Sequence, residues 1–401
     1  MTRWLSVIGI GEDGLAGLSP AARALVDTAE ILVGGDRHLA MAPSGALERV
    51  GWTRPFESSV AALARYRGRR VVVLASGDPM WYGVGAVLAR HFPREEMTIV
   101  PAAGAFSLAA SRLGWALADC LQLSLHARPL DALRLHLAPA RRLLLLAENG
   151  ATPAAVAELL TGLGWGPSVL TVFEHLGGER EAVVGAEAAD WGSRRVADLN
   201  TIALECRPGR GARPRSTVPG LPDDAFEHDG QLTKREVRAA TLAALAPIWG
   251  ETLWDVGAGS GSVAIEWLRA VPGTGAVAIE RNPARAATIA RNAAALGVPG
   301  LSVVVGEAPA ALPGGTPDAI FVGGGIGAAE LLPALWRALR PGGRLVANAV
   351  SLGGERALLD WRARHGGELV RLAVCRAEPL GAHEAWRPML SVTQLIAAKP
   401  G

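Results

Sequence analysis

The chain has 401 residues, half of them apolar, which is enough to bury the cores of two or three domains. Its 40 basic residues nearly balance 38 acidic ones, leaving a net charge of +2; no broad field exists to hold a polyanion, so a nucleic-acid partner is not expected. The longest purely apolar runs, such as 143–147, fall far short of the roughly 20 residues needed to span a bilayer, so no membrane partner is expected either.

In chain order, Met1-Thr2-Arg3-Trp4 leads into an apolar run broken by Gly9, Gly11 and Asp13, too soon for a signal peptide, so a cytoplasmic protein is expected. Val7-Ile8-Gly9-Ile10-Gly11 is a buried strand entering a glycine turn. Further short apolar strands at 31–34, 71–75, 97–100, 121–125, 143–147, 169–173 and 201–206 alternate with helical patterns, the mark of parallel α/β architecture. The strand at 71–75 opens into Ser76-Gly77-Asp78-Pro79, and the one at 97–100 into Pro101-Ala102-Ala103-Gly104-Ala105. Each loop alone is an ordinary turn, but three small-residue loops at strand ends of one sheet place a ligand site at its carboxyl edge. His175, after another strand, is either a substrate contact or a plain loop residue. Cys120, Cys206 and Cys375 are too scattered for a disulfide framework or a zinc site and read as small buried hydrophobes; no metal is expected.

Residues 207–222 are rich in proline, glycine and arginine and form a linker between residues 1–206 and 223–401. Alternation then restarts at 253–256 and continues through 276–279, 301–305, 319–322 and 345–349, with 369–374 and 389–397 closing the sheet as an antiparallel pair. Asp255-Val256-Gly257-Ala258-Gly259-Ser260-Gly261 is a nucleotide cradle with one departure from the dinucleotide pattern. There the third glycine follows the second after two residues, whereas here Ser262 holds that place and Gly261 comes one earlier. S-adenosylmethionine, which has no pyrophosphate to seat on a helix N-terminus, is favoured over NAD. Glu280, ending the next apolar run, is placed to accept ribose hydroxyls. Val322 opens into Gly323-Gly324-Gly325, a loop nearly without side chains, and Pro341-Gly342-Gly343 punctuates a helix stop before another buried strand. Trp249, Trp254 and Trp267 read first as core.

The upstream loops, Gly9 to Gly11, Ser76-Gly77-Asp78 and Pro101 to Ala105, make residues 1–206 resemble the tetrapyrrole methylase family. That resemblance implies two α/β subdomains around S-adenosylmethionine, with Gly9, Gly11, Ser76, Gly77, Asp78, Gly104 and Ala105 as cofactor contacts. The family often has Gly-Pro-Gly after its first strand where this chain has Gly11-Glu12-Asp13-Gly14, so no cofactor contact is assigned to Glu12. Downstream, Gln231-Leu232-Thr233-Lys234-Arg235-Glu236-Val237-Arg238, the Asp255 cradle and Ala278-Ile279-Glu280-Arg281-Asn282-Pro283 are similar to the smaller class I methylase of cobalamin biosynthesis. This implies a Rossmann-like class I fold with cofactor contacts at Thr233, Gly257, Ala258, Gly259, Ser260, Gly261, Glu280 and Ala308, and with Asp255 bracing the glycine loop from beneath. Together the halves resemble the fused methylases of the aerobic vitamin B12 route. The implied activity is methylation of precorrin-6B at carbon 5 by the upstream half and at carbon 15 by the downstream half. Loss of carbon dioxide from the carbon-12 acetate would then give precorrin-8, and a homo-oligomer is implied as well.

Methyl transfer of this kind asks the protein mainly for positioning, and the sequence offers no Ser/His/Asp set and no paired carboxylates, so the catalytic residues are left unassigned. The acceptor's acetate and propionate groups call for cations near the cofactor mouth: Lys234, Arg235 and Arg238 are the candidates, with an exposed helix start as the alternative reading. The downstream site is expected to hold the acetate out of water and to supply a proton. A class I methylase of RNA or protein with a non-catalytic upstream binding module is the competing function.

Overall fold

Runs of valine, isoleucine and leucine buried on both faces are what a parallel sheet covered by helices requires. A computed structural model describes residues 3–42 and 48–401. The chain divides into two units, Met1–Arg128 with Ala138–Arg213, and Pro129–Leu137 with Pro214–Gly401. The division at Arg213 falls inside the proline-rich stretch.

The upstream unit contains two sheets. The first comprises β1 (Leu5–Ile10), β2 (Ile31–Gly34), β3 (Glu48–Gly51), β4 (Val71–Ser76) and β5 (Met97–Val100), in the order β3-β2-β4-β1-β5 and parallel throughout. Leu5, Val7, Ile31, Val33, Val71 and Val73 fill one face, and Ile8, Ile10, Leu32, Val72 and Leu74 the other. The second comprises β6 (Cys120–Ser124), β7 (Arg142–Leu146), β8 (Val169–Glu174), β9 (Ala182–Glu187) and β10 (Asn200–Glu205), in the order β6-β7-β10-β8-β9. Here the parallel expectation holds for β6 with β7, while β7–β10, β10–β8 and β8–β9 are antiparallel. The connection from β8 to β9 holds no helix, and without a crossover a strand returns antiparallel.

The downstream sheet comprises β11 (Thr252–Val256), β12 (Gly275–Glu280), β13 (Ser302–Val305), β14 (Ala319–Val322), β15 (Arg344–Ala349), β16 (Glu368–Leu372) and β19 (Val392–Ala398). Between β16 and β19 lies a separate hairpin of β17 (Cys375–Leu380) and β18 (His383–Pro388), which sequence reading missed. The order is β13-β12-β11-β14-β15-β19-β16, with β19 antiparallel to both β15 and β16. From β11 the chain first winds outward through β12 and β13, then returns to add β14 and β15 on the other side. The carboxyl ends of β11 and β14 therefore flank a topological switch point, where open α/β sheets bind ligands.

Local signals explain the helices that follow. Asn282 accepts from the backbone N–H of Ala284 at 2.9 Å and Pro283 takes the first turn, which starts the helix Pro283–Ala295. The helix Ser262–Ala270 buries Val263, Ile265 and Trp267 against the sheet, and the Trp267 indole donates to the Gly275 carbonyl at 3.0 Å. Trp254 is also core, but Trp249 is 77% exposed and Cys375 is exposed, against the expectation of burial for both. Among the described residues no helix is long and apolar enough to cross a membrane.

Candidate active sites

The upstream cavity, of about 850 Å³, opens at the carboxyl edge of the first sheet, a size suited to a small-molecule site. Its floor is stitched from backbone. The Gly77 N–H donates to the Ile10 carbonyl at 3.0 Å, and the Gly77 carbonyl accepts from Ala102 N–H at 3.2 Å. Those bonds join all three glycine-bearing loops. Gly77 sits at φ +54°, and a Cβ there would lie 2.7 Å from the Gly104 Cα, so only glycine fits. Gly9 is the partner of this close approach: a side chain on it would run into the Gly77 carbonyl. Gly9 therefore packs beneath the floor, outside the residues that line the cavity. Gly11, Ser76, Gly77, Asp78, Gly104 and Ala105 do line it, although one Asp78 oxygen is engaged by Met80 N–H at 2.8 Å, closing the turn.

Sequence reasoning missed the polar cluster beside this floor. Glu12, where the family often has proline, lines the cavity and pairs with Arg37; its other oxygen meets His175 Nδ1 at 3.1 Å. Burial works against that charge, but the hydrogen bond from His175 and the Arg37 guanidinium hold the Glu12 carboxyl below the usual range. Arg37 donates in turn to Ser76 Oγ at 2.7 Å. His38, 3.0 Å from both Ser76 Oγ and Arg37, is pushed down to about 4 by burial and by the neighbouring guanidinium, so it is neutral near pH 7. His175 adopts φ +47°, a strained conformation for a non-glycine residue that persists where surrounding contacts over-determine it. It thus braces Glu12. The one available signal was the Gly11-Glu12-Asp13 departure itself. Trp81 and Tyr82 add half-exposed aromatic surface to the wall.

The downstream cavity, of about 770 Å³, lies at the switch point. Gly257 N–H and Ala258 N–H donate to the Ile279 carbonyl at 3.0 and 3.2 Å, fixing the loop against β12. At Gly257, φ is +68° and a Cβ would stand 2.9 Å from Gly324 N, which is why glycines face each other across β11 and β14. Glu280 is 4% exposed and lines the cavity. Its oxygens accept from Gly259 N–H and Asn282 N–H, each at 2.9 Å, so the carboxylate is aimed and its remaining lone pairs are open to hydroxyl donors.

Of the other assigned residues, Thr233, Lys234, Gly257, Ala258, Gly259 and Ala308 line this cavity. Ser260 and Gly261 do not. Ser260 is buried with its carbonyl held by Asn292, and Gly261 is the N-cap of the helix Ser262–Ala270. Asp255 braces that helix rather than the loop: Oδ2 accepts from Ala264 N–H at 3.0 Å, while Oδ1 is buried without a partner. Burial, with Glu280 nearby, pushes its carboxyl up to about 7. A carboxyl with a raised folded pKa holds its proton more tightly when folded. Its contribution is therefore fully present below about pH 4 and is lost as pH rises to about 7. Asp255→Asn should gain on the parent by up to about 1.4 kcal/mol per pH unit across that window. Denaturant titrations at several pH values check this, and a stability difference independent of pH would contradict it.

The cation assignments need correction. Arg238 is fully buried; it pairs with Glu266 at 2.7 Å and Asp223 at 3.4 Å and donates to the carbonyls of Thr233 and Leu221. Its charge is spent on tying Leu221, Asp223 and Thr233 to the helix Ser262–Ala270, because a buried guanidinium must satisfy its donors internally. Arg235 is exposed and outside the lining. Lys234 has no partner among the described residues and faces the cavity, joined there by Arg281 and Arg285, which sequence reasoning missed. The end of the cavity beyond Gly325 is lined by Asn348, Val350, Val374, Met389, Leu390 and Val392. No acid stands at that end among the described lining residues; Glu307 lines the cavity elsewhere, beside Ala308.

The family described as Tetrapyrrole (Corrin/Porphyrin) Methylases matches residues 5–190, and that described as Precorrin methyltransferase domain matches residues 224–399. A Sinorhizobium sp. protein named precorrin-6Y C(5,15)-methyltransferase (decarboxylating) is 52% identical over 98% of this chain and 95% of its own length. Two shorter relatives each match part of the chain. The cobalt-precorrin-7 C(5)-methyltransferase of Salmonella typhimurium is 32% identical over 49% of this chain and 98% of its own length. A probable cobalt-precorrin-6B C(15)-methyltransferase (decarboxylating) of Saccharolobus solfataricus is 37% identical over 34% of this chain and 71% of its own length.

Proposed function

The chain belongs to the decarboxylating precorrin-6Y C(5,15)-methyltransferases, and from that membership we propose how its two cavities divide the work. The upstream domain, residues 1–206, methylates carbon 5 of a precorrin-6B-type tetrapyrrole. The downstream domain, residues 223–401, methylates carbon 15 and releases carbon dioxide from the carbon-12 acetate, giving precorrin-8. The observation behind this division is that one chain holds two separate glycine-floored cavities, each at the carboxyl edge of a parallel sheet. Relatives named for the separate carbon-5 and carbon-15 reactions support it. The competing RNA or protein methylase gives way, because the family match spans both halves.

S-adenosylmethionine, the proposed donor in both cavities, supplies a methyl group on a positively charged sulfur. The cradle fits it: the Gly257 and Gly324 backbones meet without side chains, and the Glu280 carboxylate is oriented to receive sugar hydroxyls. Glu280 and Ala308 line the cavity on the side of β12 and β13, so they would hold the sugar and base there and leave the side toward β14 and β15 to the methyl group and the acceptor. Upstream, Gly11, Ser76, Gly77, Gly104 and Ala105 form the equivalent floor. Lys234 anchors a carboxylate of the acceptor at the downstream mouth, while Arg281 and Arg285 are paired with Glu307 and Asp229. Val374, Met389 and Val392, with the more exposed Val350 and Leu390, offer the acetate an apolar surface, which disfavours a charged carboxylate but not the neutral carbon dioxide leaving it. The electron pair left behind passes into the conjugated ring, and the proton that ends on that carbon comes from solvent. Homo-oligomeric assembly and cytoplasmic location complete the proposal.

Incubation of the full chain with precorrin-6B and S-adenosylmethionine tests the reading. The product should carry two added methyl groups and lack one carbon dioxide by mass. An unchanged tetrapyrrole would refute it.

A further inference from the structure

Asn348, near the end of β15, is the one polar side chain among the described lining residues at the reactive end of the downstream cavity, where its neighbours are Val350, Val374, Met389, Leu390 and Val392. Its orientation can be deduced. The Thr241 hydroxyl is fully buried and donates its single hydrogen to the Val237 carbonyl at 2.8 Å, so toward the sheet it can only accept. It accepts from Asn348 Nδ2 at 2.9 Å and from Gln394 Nε2 at 3.0 Å. Gln394 stands directly opposite Asn348 across β15 and β19, and its amide nitrogen also donates to Asn348 Oδ1 at 2.9 Å. Flipping the Asn348 amide would set its oxygen against a hydroxyl with no hydrogen left and its N–H against the Gln394 N–H. The amide is therefore locked, with one N–H to spare.

We propose that this N–H receives one oxygen of the acceptor's acetate carboxylate, making Asn348 the residue that orients the group to be lost. The inference rests on the reading that this cavity releases carbon dioxide. A single directed hydrogen bond does not restore the hydration that the apolar wall removes, but it fixes the carboxylate's plane. The bond from methylene carbon to carboxyl carbon then stands over the ring, where its electron pair enters the conjugated system as carbon dioxide departs; water protonates the carbon. The carboxylate is the ligand class such a site takes: an acceptor-only group meets a donor whose acceptor side is already used. Buried polar networks are costly unless satisfied, and in this one the second Asn348 N–H is the donor left for the cavity.

The test uses the full chain with Asn348→Leu, Asn348→Asp, Thr241→Val and Thr241→Ser. Carbon dioxide released per methyl transferred at carbon 15 should fall about 10- to 100-fold in Asn348→Leu, the range of a lost positioning contact, and further in Asn348→Asp, whose charge opposes the acetate. Tetrapyrrole affinity, read from its visible absorbance, should weaken, while S-adenosylhomocysteine affinity by calorimetry stays within about twofold. Thr241→Val should reproduce part of the defect by unlocking the amide, and Thr241→Ser should restore it. Equal loss of methyl transfer and carbon dioxide release, or no change in their ratio, would overturn the proposal. A parent enzyme that adds both methyl groups yet releases no carbon dioxide would instead refute the functional reading beneath it.

Discussion

Gly77→Val is expected to give a product with one new methyl group instead of two, still decarboxylated. The substitution forces a β-branched residue into φ +54° and places its Cβ 2.7 Å from the Gly104 Cα. Strain of this kind costs about 1–3 kcal/mol by itself, and relief of the clash has to move the loop whose backbone ties Ile10 to Ala102. Either way the upstream floor opens, so methylation at carbon 5 should fall by about two orders of magnitude or more, in line with the sensitivity of positioned reactions to small misplacements. The downstream cavity shares none of these residues. Calorimetry with S-adenosylhomocysteine should drop from two sites per chain to one, and mass spectrometry should find the singly methylated, decarboxylated product. A doubly methylated product at the parental rate would count against the upstream assignment.

Glu280→Gln should give the converse: carbon-5 methylation preserved, with carbon-15 methylation and decarboxylation suppressed. The carboxylate accepts from Gly259 and Asn282 N–H groups while nearly excluded from solvent. Glutamine must turn an amide N–H₂ toward one of those donors, and it presents one acceptor oxygen fewer to a sugar. Losing charged hydrogen bonds in a buried site costs about 3–4 kcal/mol, or roughly 10²–10³ in affinity. The downstream calorimetric site should weaken by that factor while the upstream one is untouched. If both weakened together, Glu280 would be supporting the fold rather than holding a ligand.

What the sequence revealed about these sites was local. The Asp255 to Gly261 cradle, Glu280 and the three upstream loops were legible because positive-φ turns need glycine within a few residues of a buried strand, and such spacing survives in one dimension. What it hid was long-range. Arg238 looks like an exposed charge opening a helix until Glu266 and Asp223 meet it. Glu12 finds its role only when the loop after β1 reaches the one after β8. The antiparallel pairs of the second sheet were hidden too, since apolar runs mark strands but not their partners. The Thr241, Asn348 and Gln394 lock joins a helix to two strands, and none of the three residues is remarkable alone.

The wall formed by Val350, Val374, Met389, Leu390 and Val392 has nothing to titrate. An ordinary carboxylic acid is already ionised above roughly pH 6, so gas evolution should proceed at an even pace from there to about pH 9. Any bell-shaped profile for the complete reaction would then be inherited from other steps. Manometry in a series of buffers would expose that indifference to acidity, the kinetic fingerprint of an apolar chamber whose one polar contact, Asn348, carries no charge.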